Sequence, residues 1–215
     1  MVKRRGLFIT FEGGDGSGKS TQIQLAAGWL KEQGYPVLVT REPGGTVIGE
    51  KIRAMLLDTE NTEMADITEM LLYAAARAQL AGEVIARALE SNMIVICDRW
   101  VDSSLVYQGV ARGLGEGVFD VNSQAAGELF SPDVTILLDI DAEEAIRRLG
   151  DREEDRIESM GIEYRRKVRA GYLALAKSEP WRIQVIDASG SPEEVHELVK
   201  APLKKAVQAF HEGAL

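Results

Sequence analysis

Cysteine occurs once, at Cys97, so no internal disulfide can form and the chain suits a reducing compartment. No apolar run approaches the roughly 20 residues that a membrane-spanning helix needs. The basic start, Met1-Val-Lys-Arg-Arg-Gly6, carries the charge of a signal-peptide n-region. Only Leu7-Phe-Ile-Thr-Phe11 follows before Glu12, too short for an h-region of about 7–15 residues. A cytoplasmic address without membrane contact is expected. Positive charge is also in deficit, with 25 Lys and Arg against 34 Asp and Glu and a net charge of −9. Nucleic-acid-binding proteins carry a basic patch or stripe, so no nucleic-acid partner is expected. An acidic chain still binds phosphates where its arginines are gathered in one cleft. The remainder is ordinary for a globular protein, 215 residues with 45% hydrophobic and 27% charged. That is enough chain for one sizeable core.

Apolar runs rich in strand formers lie at 6–12, 35–40, 93–97, 134–139 and 181–186. Helical periodicity covers 18–33, 46–57, 64–91, 101–109, 118–130, 142–149, 160–177 and 192–210, the last with Pro202 as a possible kink. Strands that are apolar throughout, alternating with helices, describe a parallel sheet covered on both faces. The sequence predicts one α/β domain over 1–215 with five parallel strands and a mobile charged insert near 150–158. No internal repeat or linker interrupts it.

Between the first strand and the first helix, Gly13-Gly-Asp-Gly-Ser-Gly18-Lys19-Ser20 fits G-x-x-x-x-G-K-[ST] in full. Glycines let the backbone curl until successive N–H groups converge on phosphate oxygens. The helix N-terminus adds its positive dipole end. Lys19 would reach the β- and γ-phosphates of a nucleoside triphosphate, and Ser20 would ligate Mg²⁺. The nucleotide site is assigned to Gly13, Gly14, Asp15, Gly16, Ser17, Gly18, Lys19, Ser20 and Thr21. A GTPase would show Asn-Lys-x-Asp, which is absent, and large motor ATPases need more chain.

Further candidates surround this loop in sequence. Asp98 ends the third strand, where ligands of open α/β sheets gather, with Arg99 beside it to serve metal and phosphoryl group together. Asp139 ends the fourth strand and competes for the metal, ranked second because no arginine accompanies it. Ser104, Tyr107 and Gln108 share a helical face at i, i+3 and i+4, suited to the polar edge of a base or sugar. Tyr73 and Arg77, at i and i+4 beside Ala74-Ala-Ala76, could stack on a base and donate to a carbonyl. The dense charges from Arg147 to Glu158 hold arginines able to close on a triphosphate.

These residues carry a resemblance over essentially the whole chain. Phe11-Glu-Gly-Gly-Asp-Gly-Ser-Gly-Lys-Ser-Thr-Gln22, Thr40-Arg-Glu-Pro-Gly-Gly-Thr46, Leu71-Leu-Tyr-Ala-Ala-Ala-Arg-Ala-Gln79, Asp98-Arg-Trp-Val-Asp-Ser-Ser-Leu-Val-Tyr-Gln-Gly109 and Asp155-Arg-Ile-Glu158 together resemble the thymidylate kinases. The resemblance implies the three-layer P-loop kinase fold with a lid at about 149–158, Mg²⁺, a homodimer, and transfer of the γ-phosphoryl group of ATP to dTMP. It implies Asp15 at the acceptor's 3′-hydroxyl, Arg99 and Arg41 at its phosphate, and Tyr73 stacked on thymine. Arg77 would donate to O4, Ser104 would approach N3, and Tyr107 would crowd the 2′ position; Gln108 is placed at the acceptor too. Lys19, Asp15, Arg99 and a lid arginine, Arg152 or Arg156, are the expected catalytic set, with Ser20 and Asp98 for the metal. Three positions depart from the family's pattern: Tyr73 for Phe, Trp100 for Tyr or His, and Gly16 where some members place a catalytic arginine.

Overall fold

The computed structural model describes residues 6–150 and 153–212. Five strands, β1 (Leu7–Glu12), β2 (Val37–Arg41), β3 (Ile94–Asp98), β4 (Val134–Asp139) and β5 (Ile183–Asp187), form one parallel sheet in the order β2-β3-β1-β4-β5. The central strand β1 is buried along its whole length, as its apolar sequence requires. Its side chains alternate between two layers. Leu7, Ile9 and Phe11 pack with Ile23 and Leu30 of α1 (Lys19–Glu32) and with Leu203 and Val207 of α9 (Pro192–His211). Phe8 packs on the other side with Leu80, Ile85 and Trp100.

The edges behave differently from the centre. β2 is half exposed, and β5 begins two residues later than the apolar run predicted, because Trp181 is 75% exposed in the preceding turn. The single helix expected over 64–91 is α3 (Asp66–Leu80), a π-helical stretch at Ala81–Ile85, and α4 (Ala86–Glu90). After β3 come α5 (Val101–Ser104) and a second π-helical stretch, Leu105–Ala111. The remaining helices are α2 (Val47–Leu57), α6 (Gly117–Ala126), α7 (Ala142–Leu149) and α8 (Ile162–Ser178). α9 opens with a capping box between Ser191 and Glu194 and runs on through Pro202.

The segment after β3 is fixed from below. Arg182 makes a buried bidentate pair with Asp102, at 2.7 and 2.9 Å, and also donates to Thr135, whose hydroxyl meets that of Thr10. Breaking such a pair strands a buried charge, at a cost of about 3–5 kcal/mol. This pair holds α5, and so Ser103 and Ser104, against β4 and β1.

Candidate functional site

The loop from Gly13 to Gly18 turns off the C-terminal end of β1 and opens α1. Gly13 has φ +133°, and a Cβ there would lie 2.5 Å from the Leu138 carbonyl oxygen. Gly16 has φ +86° and lies against α7, where a Cβ would come 2.3 Å from the Ala145 oxygen. A side chain at Gly16 would meet the α7 backbone. No side chain caps α1, so its first-turn N–H groups are left for an anion. The Lys19 ammonium is folded over the loop, donating to the oxygens of Gly13 at 3.0 Å and Gly14 at 2.9 Å. Burial and then the nearby Arg99 cation pull its pKa below the ordinary lysine value.

Arg99 adopts φ +68°, which turns its side chain back across the loop. It donates to the Gly13 oxygen at 3.0 Å and to the Asp15 carboxylate at 2.6 Å, and lies 5.2 Å from the centroid of the Tyr107 ring. Burial pushes the Asp15 carboxyl up, but Arg99 and Lys19 outweigh it and hold it at about 2. Behind Arg99 stands Glu12, which accepts from the Trp100 N–H, the Ser103 hydroxyl and the Tyr172 hydroxyl. Burial, with Asp102 nearby, pushes Glu12 up to about 7 against the pull of Arg99. Sequence reasoning missed Glu12 and Tyr172. The visible signal was a carboxylate closing an otherwise apolar strand.

Arg77 is 1% exposed on α3 and is held on every side. It makes a bidentate ion pair with Glu42, donates to Asn122, and donates to the Ser104 hydroxyl at 2.9 Å. These contacts occupy four of its five N–H groups, leaving one on Nη1. The Trp100 ring lies 5.6 Å from its guanidinium carbon. Trp100 itself is core, edge-on to Phe8 and donating Nε1–H to the Leu129 oxygen at 2.8 Å. Glu42 and Asn122 were missed because their partners lie 35 and 45 residues away.

A cavity of about 440 Å³ joins these pieces. It is lined by Asp15, Gly16, Gly18, Lys19, Ser20 and Thr21 at one end, and by Tyr73, Arg77, Ser104, Tyr107 and Gln108 at the other. Arg41, Asp98 and Arg99 line it as well. Arg41 is half exposed and paired with Glu50 at 2.9 Å, as a loosely held cation at a cleft mouth would be. The volume suits a drug-sized ligand. The helical spacing that grouped Ser104, Tyr107 and Gln108 does not apply across the π-helical stretch, yet all three reach the cavity.

The two carboxylates weighed for a metal separate clearly. Oδ1 of Asp98 is buried and meets no partner among the described residues. Asp139 does have an arginine beside it, contrary to expectation, since Arg169 of α8 pairs with it at 2.7 Å. Arg156 does not line the cavity; it donates to the Leu56 oxygen at 2.9 Å and pairs with Glu69 at 2.8 Å. Arg152 lies outside the described residues. A basic group not foreseen is Arg165, which lines a second, smaller cavity with Asp15. A third cavity is lined by Gly16, Gly18, Thr21 and Gln22 and by Arg148 and Pro192, at the start of α9.

Comparisons with known proteins agree on one family. The family profile described as thymidylate kinase matches residues 11–199. A thymidylate kinase of Symbiobacterium thermophilum is 51% identical over 209 residues, covering 97% of each chain. One from Caldanaerobacter subterraneus subsp. tengcongensis is 51% identical over 211 residues, covering 98% of this chain and 99% of the other. The crystal structure of a thymidylate kinase from Ehrlichia chaffeensis superposes with a TM-score of 0.73 at 33% identity, covering 93% of this chain and 98% of that one.

Proposed function

The chain belongs to the thymidylate kinase family and phosphorylates dTMP with ATP on the way to dTTP, and we propose that the two nucleotides meet in the 440 Å³ cavity. One observation carries this placement. The phosphate-binding loop with Lys19, and Arg41, Arg77 and Arg99 from separate segments, line the same cavity, with Arg53 beside them.

The uncapped N-terminus of α1 and the amides of residues 13–18 hold the triphosphate, with Lys19 leaving the loop oxygens for the β- and γ-phosphates. Arg99 and Arg41 hold the acceptor phosphate, and Asp15 accepts from the sugar 3′-hydroxyl. Tyr73 stacks on the base, the remaining N–H of Arg77 donates to O4, and Ser104 and Gln108 meet the N3 edge. Tyr107 closes the space beside the sugar and favours deoxyribose. Phosphoryl transfer passes through a loose transition state, so in-line positioning and charge neutralisation do most of the work. The chain's residues fit a bound Mg²⁺: Asp98 offers an unpartnered buried oxygen and Ser20 a hydroxyl on the same cavity wall. When bound, that ion neutralises phosphate charge. Few protein ligands are usual where phosphates and water complete the shell. The lid at about 149–158 supplies a further arginine, and the described residues form one domain, at work in the cytoplasm. A coupled assay with dTMP, dUMP, dCMP and AMP should give fastest turnover with dTMP, and turnover lost with EDTA.

Arg77→Ala should raise KM for dTMP by about tenfold or more, the worth of a hydrogen bond to a charged donor, with little change in KM for ATP. Equal losses for both substrates would sink the base-reading role.

The second subunit of a homodimer seats on α2 and α3. α2 packs against α3, and Val47, Ile48, Met55, Ile67 and Leu71 on these two helices are each at least half exposed. Leu71→Glu should shift the chain from dimer to monomer in light scattering; an unchanged mass would exclude this face.

A further inference from the structure

Glu69 is fully buried on α3, one turn before Tyr73, and does not itself line the cavity. Its Oε1 accepts from Gln108 Nε2 at 3.0 Å, and its Oε2 accepts from Arg112 at 2.7 Å and pairs with Arg156 at 2.8 Å. Burial opposes its charge, but the two guanidiniums and the Gln108 amide outweigh burial and hold its pKa below the usual range. Gln108, 2% exposed, stands between this carboxylate and the cavity.

From this arrangement we infer that Glu69 is a positioning residue: it fixes the Gln108 carboxamide with its oxygen toward the bound base, and so selects a pyrimidine that carries hydrogen on N3. An ionised carboxylate only accepts hydrogen bonds, so the amide meets it with NH₂ and never with oxygen. The oxygen of Gln108 then has no donor among the described residues, and it is left toward the cleft together with the amide's second N–H. The chemistry of the pair decides the amide's orientation, which an isolated glutamine would leave open. Thymine and uracil present N3–H to such an oxygen. Cytosine presents a lone pair there, and the two acceptors repel. A site whose buried polar group is left unpaired by the wrong base discriminates strongly against it. The inference rests on the placement of Gln108 at the base edge.

Glu69→Gln changes only the accepting character, because the new amide can donate to Gln108 and let it turn. The ratio of kcat/KM for dTMP to that for dCMP should fall about tenfold or more, with KM for ATP little moved. In a Gln108→Leu background the same substitution should leave the ratio where it was. An unchanged ratio in Glu69→Gln alone, or the same fall in both backgrounds, overturns the inference. Gln108→Leu by itself reports on the base-edge placement: an unaltered KM for dTMP removes that placement and the inference with it. A raised KM there with no change of ratio in Glu69→Gln removes the inference alone. Should Glu69→Gln not fold, NMR of the unmodified protein gives the answer. The Gln108 side-chain N–H signals should be protected from solvent exchange both before and after dTMP is added. Fast exchange, or a large shift of those N–H signals on binding, would mean that the base meets the nitrogen instead.

Discussion

Replacing Lys19 with methionine should lower kcat for dTMP phosphorylation by about 10³-fold or more, the scale of losing a cation on a transferring phosphoryl group. The fold should stand. Lys19 is 8% exposed, and methionine keeps most of its apolar stem in the same channel. The two carbonyls that lose the ammonium each keep a donor: Gly13 retains Arg99 at 3.0 Å, and Gly14 retains the Ser17 N–H at 3.3 Å. Lys19→Met therefore separates chemistry from stability. A coupled assay should show the loss, KM for dTMP should change little, and thermal unfolding should stay close to that of the unmodified chain. Near-normal turnover would remove Lys19 from the reaction. A collapse of stability together with activity would mean that its bonds to the loop matter more than its charge.

The position of Lys19 was legible because the loop's chemistry is local. Eight consecutive residues contain the backbone freedom, the helix start and the cation, so a linear motif suffices. The same holds for β1, β3 and β4, whose continuous apolar runs state that both faces are buried. β4 and α7 begin and end where the sequence predicted. Edge strands say less, because β2 and β5 are partly solvated and their ends shade into turns. The two π-helical stretches could not be read at all, since a π turn is a rare, one-turn departure inside an α-helix that no residue type announces.

Residues acting through partners were the harder class. Arg77, Tyr73, Ser104, Tyr107 and Gln108 were chosen by type and spacing, and they do reach one cavity. The groups that orient them, Glu42, Asn122 and Glu69, gave no linear signal of partnership, because each pair is closed by folding over tens of residues. Glu69 did leave a trace. It lies on the same stripe of α3 as Tyr73, Ala76 and Leu80, and a carboxylate on a buried stripe requires cationic or amide partners. Arg156, chosen as a cation for the triphosphate, is engaged by Glu69 and the Leu56 carbonyl in this conformation.

Arg99 carries the second large effect, and two substitutions divide its roles. Arg99→Ala should lower kcat/KM for dTMP by about 10³–10⁵-fold, the range measured where an arginine stabilises a phosphoryl transition state. Arg99→Lys should recover only a small part of this. The guanidinium reaches the Gly13 oxygen through Nη1 and the Asp15 carboxylate through Nη2 at the same time, with the Tyr107 ring beneath it. A planar fork makes those contacts and still presents N–H groups to an incoming phosphate, whereas an ammonium is a point charge that must choose among them. Lysine would settle on Asp15, the nearest anion, and leave the acceptor phosphate unclamped. The two variants should also differ at Asp15 itself. Its carboxyl, held at about 2 mainly by Arg99, should climb in Arg99→Ala, where burial meets only the Lys19 and Arg165 charges, and should stay low in Arg99→Lys. Carbon-13 NMR of the Asp15 carboxyl across pH reads this directly. If Arg99→Lys were to restore both the low Asp15 value and the rate, charge alone would be enough and the fork would have no special part.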